Sequence, residues 1–311
     1  MAATSDAIPA AIGLPAQAKK HRTLWEDVWR QFRKHKPAMA GMAVLTLLIL
    51  GVFIGPFIYR VSPETIDIVN SNLGPTPEHP LGTDDLGRDI LARNLHGGRI
   101  SITVGITAML IAMTFGSLVG ALAGFYPVLD NPLMRITDMF LALPQLPLLL
   151  VIILLFRDTL RTTFGPVTGI FLLIVFVIGI LGWMPTARVV RGSVLSIKEK
   201  EFVEAATCIG VGRNAILARH IFPNVLSPII VSATLSVAAS ILNESVLSFL
   251  GLGFPSDVPT WGRLLADGKD FLTQNVHMVI WPGIFISLTV LSINFMGDGL
   301  RDALDPRLRD R

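Results

Sequence analysis

EFVEAATCIGVGRNAILARHIFPN fills residues 201–224, between apolar runs at 165–183 and 225–250. Each flanking run is long enough to cross a hydrocarbon core about 30 Å thick, which takes roughly 20 apolar residues of helix. A charged, helix-patterned stretch between two such runs has to lie outside the lipid. Four more runs extend the pattern in both directions, at 38–59, 100–126, 133–156 and 277–296. The 311 residues are 51% hydrophobic and only 16% charged, and mean hydropathy is +0.61, too apolar for a soluble domain of this size. The fold class read from these runs is an all-α polytopic membrane protein with six transmembrane helices.

Charge sets the orientation. Lys19, Lys20, Arg22, Arg30, Arg33, Lys34 and Lys36 precede the first run, and Arg188, Arg191, Lys198, Lys200, Arg213 and Arg219 occupy the loop at 184–224. Basic loops stay on the cytoplasmic side, and six spans put both termini there. The loop at 61–98, poor in Lys and Arg, faces outward. The first run is too long for a signal-peptide core and no small-residue cleavage site follows it, so it reads as a retained span. The net charge of +3 is explained by topology rather than nucleic acid. Cys208 is the single cysteine, which excludes an internal disulfide.

Within 201–224, Ser196 and Glu199 have the spacing of a capping box, predicting a helix from about Ile197. Phe202, Ala205, Ala206 and Ile209 fall on one face of that helix, with Glu201 and Glu204 beside them. Gly210 and Gly212 interrupt it, since glycine takes a left-handed helix exit cheaply. A second short helix is predicted over 214–221, with Pro223 opening the next span. Two readings of this helix, turn and helix stand side by side: an interfacial amphipathic element packed on lipid or on the bundle, or a docking handle gripped by a cytoplasmic partner.

Glu204-Ala205-Ala206, then Gly210, then Ile221-Phe222-Pro223 resemble the EAA loop of bacterial ABC importer permeases. The segments HPLGTDDLGRDILARNLHGGR at 79–99, ESVLSFLGLG at 244–253 and GDGLRDALDPR at 297–307 are similar to the C-type permeases of dipeptide, oligopeptide and nickel importers, as is the first span with its basic preamble. The resemblance implies the type I ABC importer permease fold in the bacterial inner membrane. It implies a second homologous permease, two cytoplasmic ATPases and an external solute-binding protein as partners. Docking to the ATPase would fall on Glu201, Glu204, Ala205, Ala206, Gly210, Ile221 and Pro223: Glu204 for a polar contact, the alanines for close approach, Gly210 for the turn. The domains implied are a basic tail at 1–37, a first span and outer loop at 38–98, the importer transmembrane domain at 99–298 with its coupling loop at 196–224, and a cytoplasmic tail at 299–311.

Asp84, Asp85, Arg88 and Asp89 look like a metal or catalytic cluster, but the order of an EF-hand loop is absent. The competing reading has Thr83 or Asp84 capping a helix and Arg88 pairing with a neighbouring acid. By resemblance, Asp84, Asp85, Arg88 and Trp261 are candidates for docking the binding protein. Trp261 also suits an ordinary interfacial tryptophan. Ionisable or polar groups in spans are costly to desolvate, so Asp138, Gln145, Asn243 and Glu244 are candidates for lining a translocation path, against a plain interhelical hydrogen bond. Pro144 and Pro147 predict a kink in the third run. His79, His96, His220 and His277 lack metal-ligand spacing, and replacing His79 is expected to matter little. No G-x-x-x-x-G-K-S/T loop, H-E-x-x-H or G-x-S-x-G occurs, so no cofactor or enzymatic role is expected in the chain. An ion-coupled secondary transporter is the alternative function, though neither a repeat nor an ionisable relay is visible. Dipeptides or short oligopeptides are the expected solutes, with nickel complexes and glutathione open.

Overall fold

The computed structural model describes residues 24–304; Lys19, Lys20, Arg22 and the tail at 305–311 lie outside them. Twelve helices follow in order: α1 Leu24–Lys34, α2 Lys36–Ile58, α3 Ile90–Phe125, α4 Pro127–Ala142, α5 Gln145–Phe164, α6 Thr168–Leu181, α7 Met184–Ile197, α8 Glu201–Cys208, α9 Arg213–Ile216, α10 Phe222–Phe249, α11 Trp261–Gly268 and α12 His277–Leu304. Five stretches are long and apolar enough to span a membrane: α2, α3, α6 with α7, α9 through α10, and α12. A sixth is formed by α4 and α5, which meet at 87°.

That bend corrects the expectation of one span at 133–156. Leu143 is extended (φ −78°, ψ 138°), the conformation forced on a residue that precedes proline. Pro147 does not add to the kink. It sits in the first turn of α5, where a missing N–H leaves no bond unmade. The pair still crosses the layer. At one end Tyr126 donates its hydroxyl to Asn214 Oδ1 at 2.6 Å, beside the cytoplasmic loop. At the other, Arg157 donates to the carbonyls of Gly251 at 3.1 Å and Gly253 at 3.4 Å, beyond the outer end of α10.

The centre of the bundle is the contact of α3 with α7. Gly116, Gly120 and Gly124 recur every four residues along α3. A Cβ on Gly116 would stand 2.6 Å from the Trp183 carbonyl oxygen, one on Gly120 2.5 Å from that of Ala187, and one on Gly124 2.9 Å from that of Arg191. Backbones this close give dispersion contact that larger residues forbid, which is how membrane helices associate without a hydrophobic driving force. An apolar cluster around Ile174, Ile178 and Leu149 fills the space between α3, α5 and α6.

The N-terminal basic stretch is partly structured, which its charge pattern concealed. Val28 and Phe32, one turn apart on α1, are buried against Ala38 and Ala303, so the basic side of α1 is left outside. At the outer end Asp89 caps α3, accepting from Ala92 N–H at 2.7 Å. The cap is therefore Asp89 rather than Thr83 or Asp84. The other oxygen of Asp89 accepts from the Tyr59 hydroxyl at 2.7 Å and lies 2.8 Å from His79 Nδ1. Burial, and then the Asp89 carboxylate, raise the Tyr59 pKa, so the phenol stays a donor. His79 thus helps tie the end of α2 to the start of α3, against the expectation that it is dispensable.

Two outcomes test this packing. Gly120→Leu should lower the stability of the purified protein by about 1–3 kcal/mol or more, read as thermal unfolding in nanodiscs, while Gly51→Leu, whose Cβ meets nothing within 4 Å, leaves it unchanged. In the same assay Asp89→Ala should cost about 1–3 kcal/mol, through a lost cap and unmet donors, and His79→Ala about 1 kcal/mol.

Candidate functional site: a cytoplasmic handle beneath a bent helix

α7 runs through Ser196 and ends at Ile197, so the predicted capping box does not form. The reason is apolar burial: Val190, Val194 and Ile197 continue the packed side of α7 through that point. A link at 198–200 leads to α8, whose cap residue Lys200 makes no side-chain bond. Glu201 and Glu204 in the first turn instead complement the positive end of the helix dipole.

α8 ends in a Schellman motif. Val211 N–H donates to Ala206 O at 3.1 Å and Gly210 N–H to Thr207 O at 3.0 Å, which satisfies carbonyls that the helix leaves over. Gly210 has φ +82°, whereas Gly212 is extended at φ −63° and precedes α9. The left-handed turn needs only the first glycine. The predicted separate helix at 214–221 is also corrected. α9 continues through a π turn at Leu217–Ile221 into α10 as one helix, Arg213–Phe249. Pro223 lies just past that turn, and Asn224 Nδ2 donates to the His220 carbonyl at 2.6 Å.

The faces of α8 differ from the sequence grouping by one position. Val203 and Ala206 are 5% exposed and pack with Val190, Val194, Ile216 and Ile221. Phe202 is 44% and Ile209 81% exposed, with Glu201, Glu204, Ala205, Gly210 and Pro223 also on the surface. Ala206 and Ile221 are therefore internal anchors, not contact residues, a correction that follows from the cluster beneath α8.

Above the handle, a half-open cavity of about 360 Å³ lies where α4 meets α5, lined on the other sides by α6, α7 and α10. Gln145 and Asn243 line it, as do Ser232, Ser236 and Ser240 on one face of α10. Asp138 and Glu244 do not. Asp138 accepts from Arg188 Nη2 at 2.5 Å. Glu244 is fully buried on the other side of α10, accepting from Ser101 Oγ at 3.0 Å and Ser248 Oγ at 2.7 Å. Both make the interhelical bonds that were the competing reading, and neither lines this cavity. A second cavity of about 990 Å³, bounded by Arg188, Ser193, Asn224 and Ser227, opens below the first and shares Val189 with it.

On the outer face, Asp84 accepts from Arg88 Nε at 2.7 Å and lies 3.3 Å from Arg93 Nη1; Arg93 reaches Asp267 at 3.3 Å, and Arg263 pairs with Asp267 at 2.8 Å. Burial pushes the Asp267 carboxyl above the usual carboxylate range, against the opposing pull of Arg263 and Arg93. Trp261 is fully buried, with its indole N–H on the Asn94 carbonyl at 3.0 Å. Asp84, Arg88 and Trp261 therefore bind the outer loop to α11 instead of facing a partner. Asp85 remains at the surface, on the rim of an outer cleft of about 750 Å³. Among the described residues no cluster of His, Cys, Asp and Glu could hold a metal ion.

Comparison with known proteins places this architecture. The family model described as binding-protein-dependent transport system inner membrane component matches residues 103–310, and the N-terminal TM domain of oligopeptide transport permease C matches residues 23–75. The oligopeptide transport system permease protein OppC of Haemophilus influenzae is 42% identical over 291 residues, 93% of this chain and 90% of that protein. OppC of Bacillus subtilis is 37% identical over 293 residues, 94% and 92% of the two chains. The dipeptide transport system permease protein DppC of Bacillus subtilis is 40% identical over 286 residues, 91% and 86%. Among solved structures, the MetNI methionine ABC transporter in inward facing conformations superposes with a TM-score of 0.55 at 16% identity, over 70% of this chain and 96% of that one, a likeness of fold: that of the type I ABC importer permeases. These findings displace the ion-coupled alternative. The chain belongs to the binding-protein-dependent transport system inner membrane component family: it is a multi-pass permease subunit of an ABC importer in the inner membrane, with ATP hydrolysis left to other subunits.

Proposed function

We propose that this permease forms half of a path for dipeptides or short oligopeptides, beside a second homologous permease, and is driven by two cytoplasmic ATPases that grip α8. A solute-binding protein delivers the peptide from outside. The observation that carries the ATPase role is the exposed side of α8. Phe202 and Ile209 are exposed next to Glu201 and Glu204, on a helix whose opposite side is packed into the bundle through Val203 and Ala206. Large apolar side chains exposed at the rigid tip of a loop outside the bilayer mark a protein contact. The anchored side makes that contact mechanically useful, because a push on α8 moves α7 and α10 with it.

The peptide assignment is supported by the relatives' names and by the lining of the cavity at the bend. Gln145, Asn243 and the α10 serines offer neutral donors and acceptors, which suits a backbone of amides and carbonyls and places no fixed charge in the way. On the outer face, Asp85 lies at the cleft with the exposed Asp257 and Asp270, an acidic contact for the binding protein.

Two experiments follow. Glu204→Lys, or Gly210→Val with its cost of about 1–2 kcal/mol for a left-handed non-glycine residue, should leave the protein in the membrane yet abolish both trialanine uptake and ATPase co-purification. Normal transport by both variants would falsify the docking role. Asn243→Leu should leave the ATPases bound but weaken trialanine uptake, by the about 1–3 kcal/mol that an unmet peptide group costs; unchanged uptake would remove Asn243 from the path.

A further inference from the structure

α4 is attached to the bundle in an unusual way. Of its sixteen residues only Thr137 is buried, whereas α7 is seated on α3 by the glycine contacts and by the cluster that also holds Val203 and Ala206 of α8. Apart from buried Thr137 and Phe140, which packs on the α5–α6 cluster, what fastens α4 is polar. Arg191 Nε and Nη2 donate to the two oxygens of Asp130 at 2.5 and 2.7 Å, and Arg188 Nη2 donates to Asp138 at 2.5 Å. Tyr126, just before α4, donates to Asn214 on the far arm of the handle. One end of α4 is thus tied to both arms of the loop that carries α8, and its other end is the break at Leu143–Pro144, which borders the cavity containing Gln145 and Asn243.

We infer that the Asp130–Arg191 pair, seconded by Asp138–Arg188, is a strut that carries motion of α8 and α7 to the bend, so that Asp130 and Arg191 are positioning residues for the opening and closing of the cavity. The physical reason is the contrast in attachment. A helix packed over its whole length moves as part of its neighbour or not at all, because close-packed interfaces do not deform continuously. A helix held mainly by charge-assisted pairs keeps its register to α7 at those points, so a displacement of α7 is passed along α4 to Phe140, which packs beside the bend. Of the two pairs, Asp130–Arg191 is the less exposed, with side chains 24% and 33% accessible against 60% and 54% for Asp138–Arg188, and it alone is bidentate. It carries more of the load, since exposed single contacts hold little.

The inference rests on α8 being the ATPase handle. It is tested in the importer assembled with its ATPases, in a Cys208→Ser background, with spin labels at Leu143→Cys and Ser236→Cys across the cavity. Trapping the ATPases with ATP and vanadate should change the distance between the labels. Asp130→Asn or Arg191→Gln should abolish that change while the ATPases stay bound and hydrolyse ATP, and the exchange Asp130→Arg with Arg191→Asp should restore it. A merely structural pair would not show this split between hydrolysis and movement. No change on trapping in the parent, a change that persists in the single variants, or an exchange variant as defective as the singles overturns the strut. Failure of the handle itself shows separately, as ATPases that remain bound to Glu204→Lys.

Discussion

Helices in a bilayer gain nothing by hiding apolar side chains from one another, because lipid tails are as apolar as leucine. What joins α3 to α7 is instead the absence of side chains. Gly116, Gly120 and Gly124 bring the backbone of α3 within about 3 Å, in Cβ terms, of the carbonyls of Trp183, Ala187 and Arg191. The rest of the structure depends on that contact. It fixes α7, α7 fixes the cluster under α8, and the proposed docking of α8 relies on that anchored side.

Polar groups do the complementary work at the two surfaces. On the outside, Asp84, Arg88, Arg93, Arg263 and Asp267 form a chain of ion pairs that joins the first outer loop to α11, with Trp261 beneath it against Phe285. Breaking one partner there would strand a buried charge, so the outer cap holds as a unit. In the membrane, Glu244 is met by two serine hydroxyls, one from α3 and one from its own helix. Such satisfied groups orient helices that dispersion alone would let slide. On the cytoplasmic side the pairs to α4 are more exposed and the helix around them barely packed. The same chemistry thus forms a buried cap at the outer end and exposed ties at the inner one.

Much of this was legible in the residues. The apolar runs gave the number of crossings because span length is set by bilayer thickness and hardly by tertiary context. Gly210 marked the helix exit because almost no other residue takes φ +82° at low cost. Pro144 marked the bend, since proline constrains the residue before it locally. Where reading failed, the competing force was burial. Ser196 and Glu199 match a capping box in isolation, but the packed side of α7 carries the helix past them. Ala206 and Ile221 share a motif with Glu204 and Ala205, yet the cluster beneath α8 takes them inward. Asp84, Arg88 and Trp261 are types expected on a docking surface, and only distances show that they satisfy one another. The residues of the strut gave no signal: Asp130 and Arg191 are 61 positions apart, and nothing local marks either.

By itself the sequence determined the solvent, the crossings and the sites of sharp turns, because each is fixed by a few neighbouring residues acting against lipid, water or steric limits. Which side of α8 faces outward, which of four polar residues in the spans line the cavity, and which acids and bases are spent on one another were decided only by tertiary structure. The physical reason is that burial and pairing depend on residues distant in the chain, and a one-residue difference on a helix turns a side chain by about 100°, from the partner's side into the core.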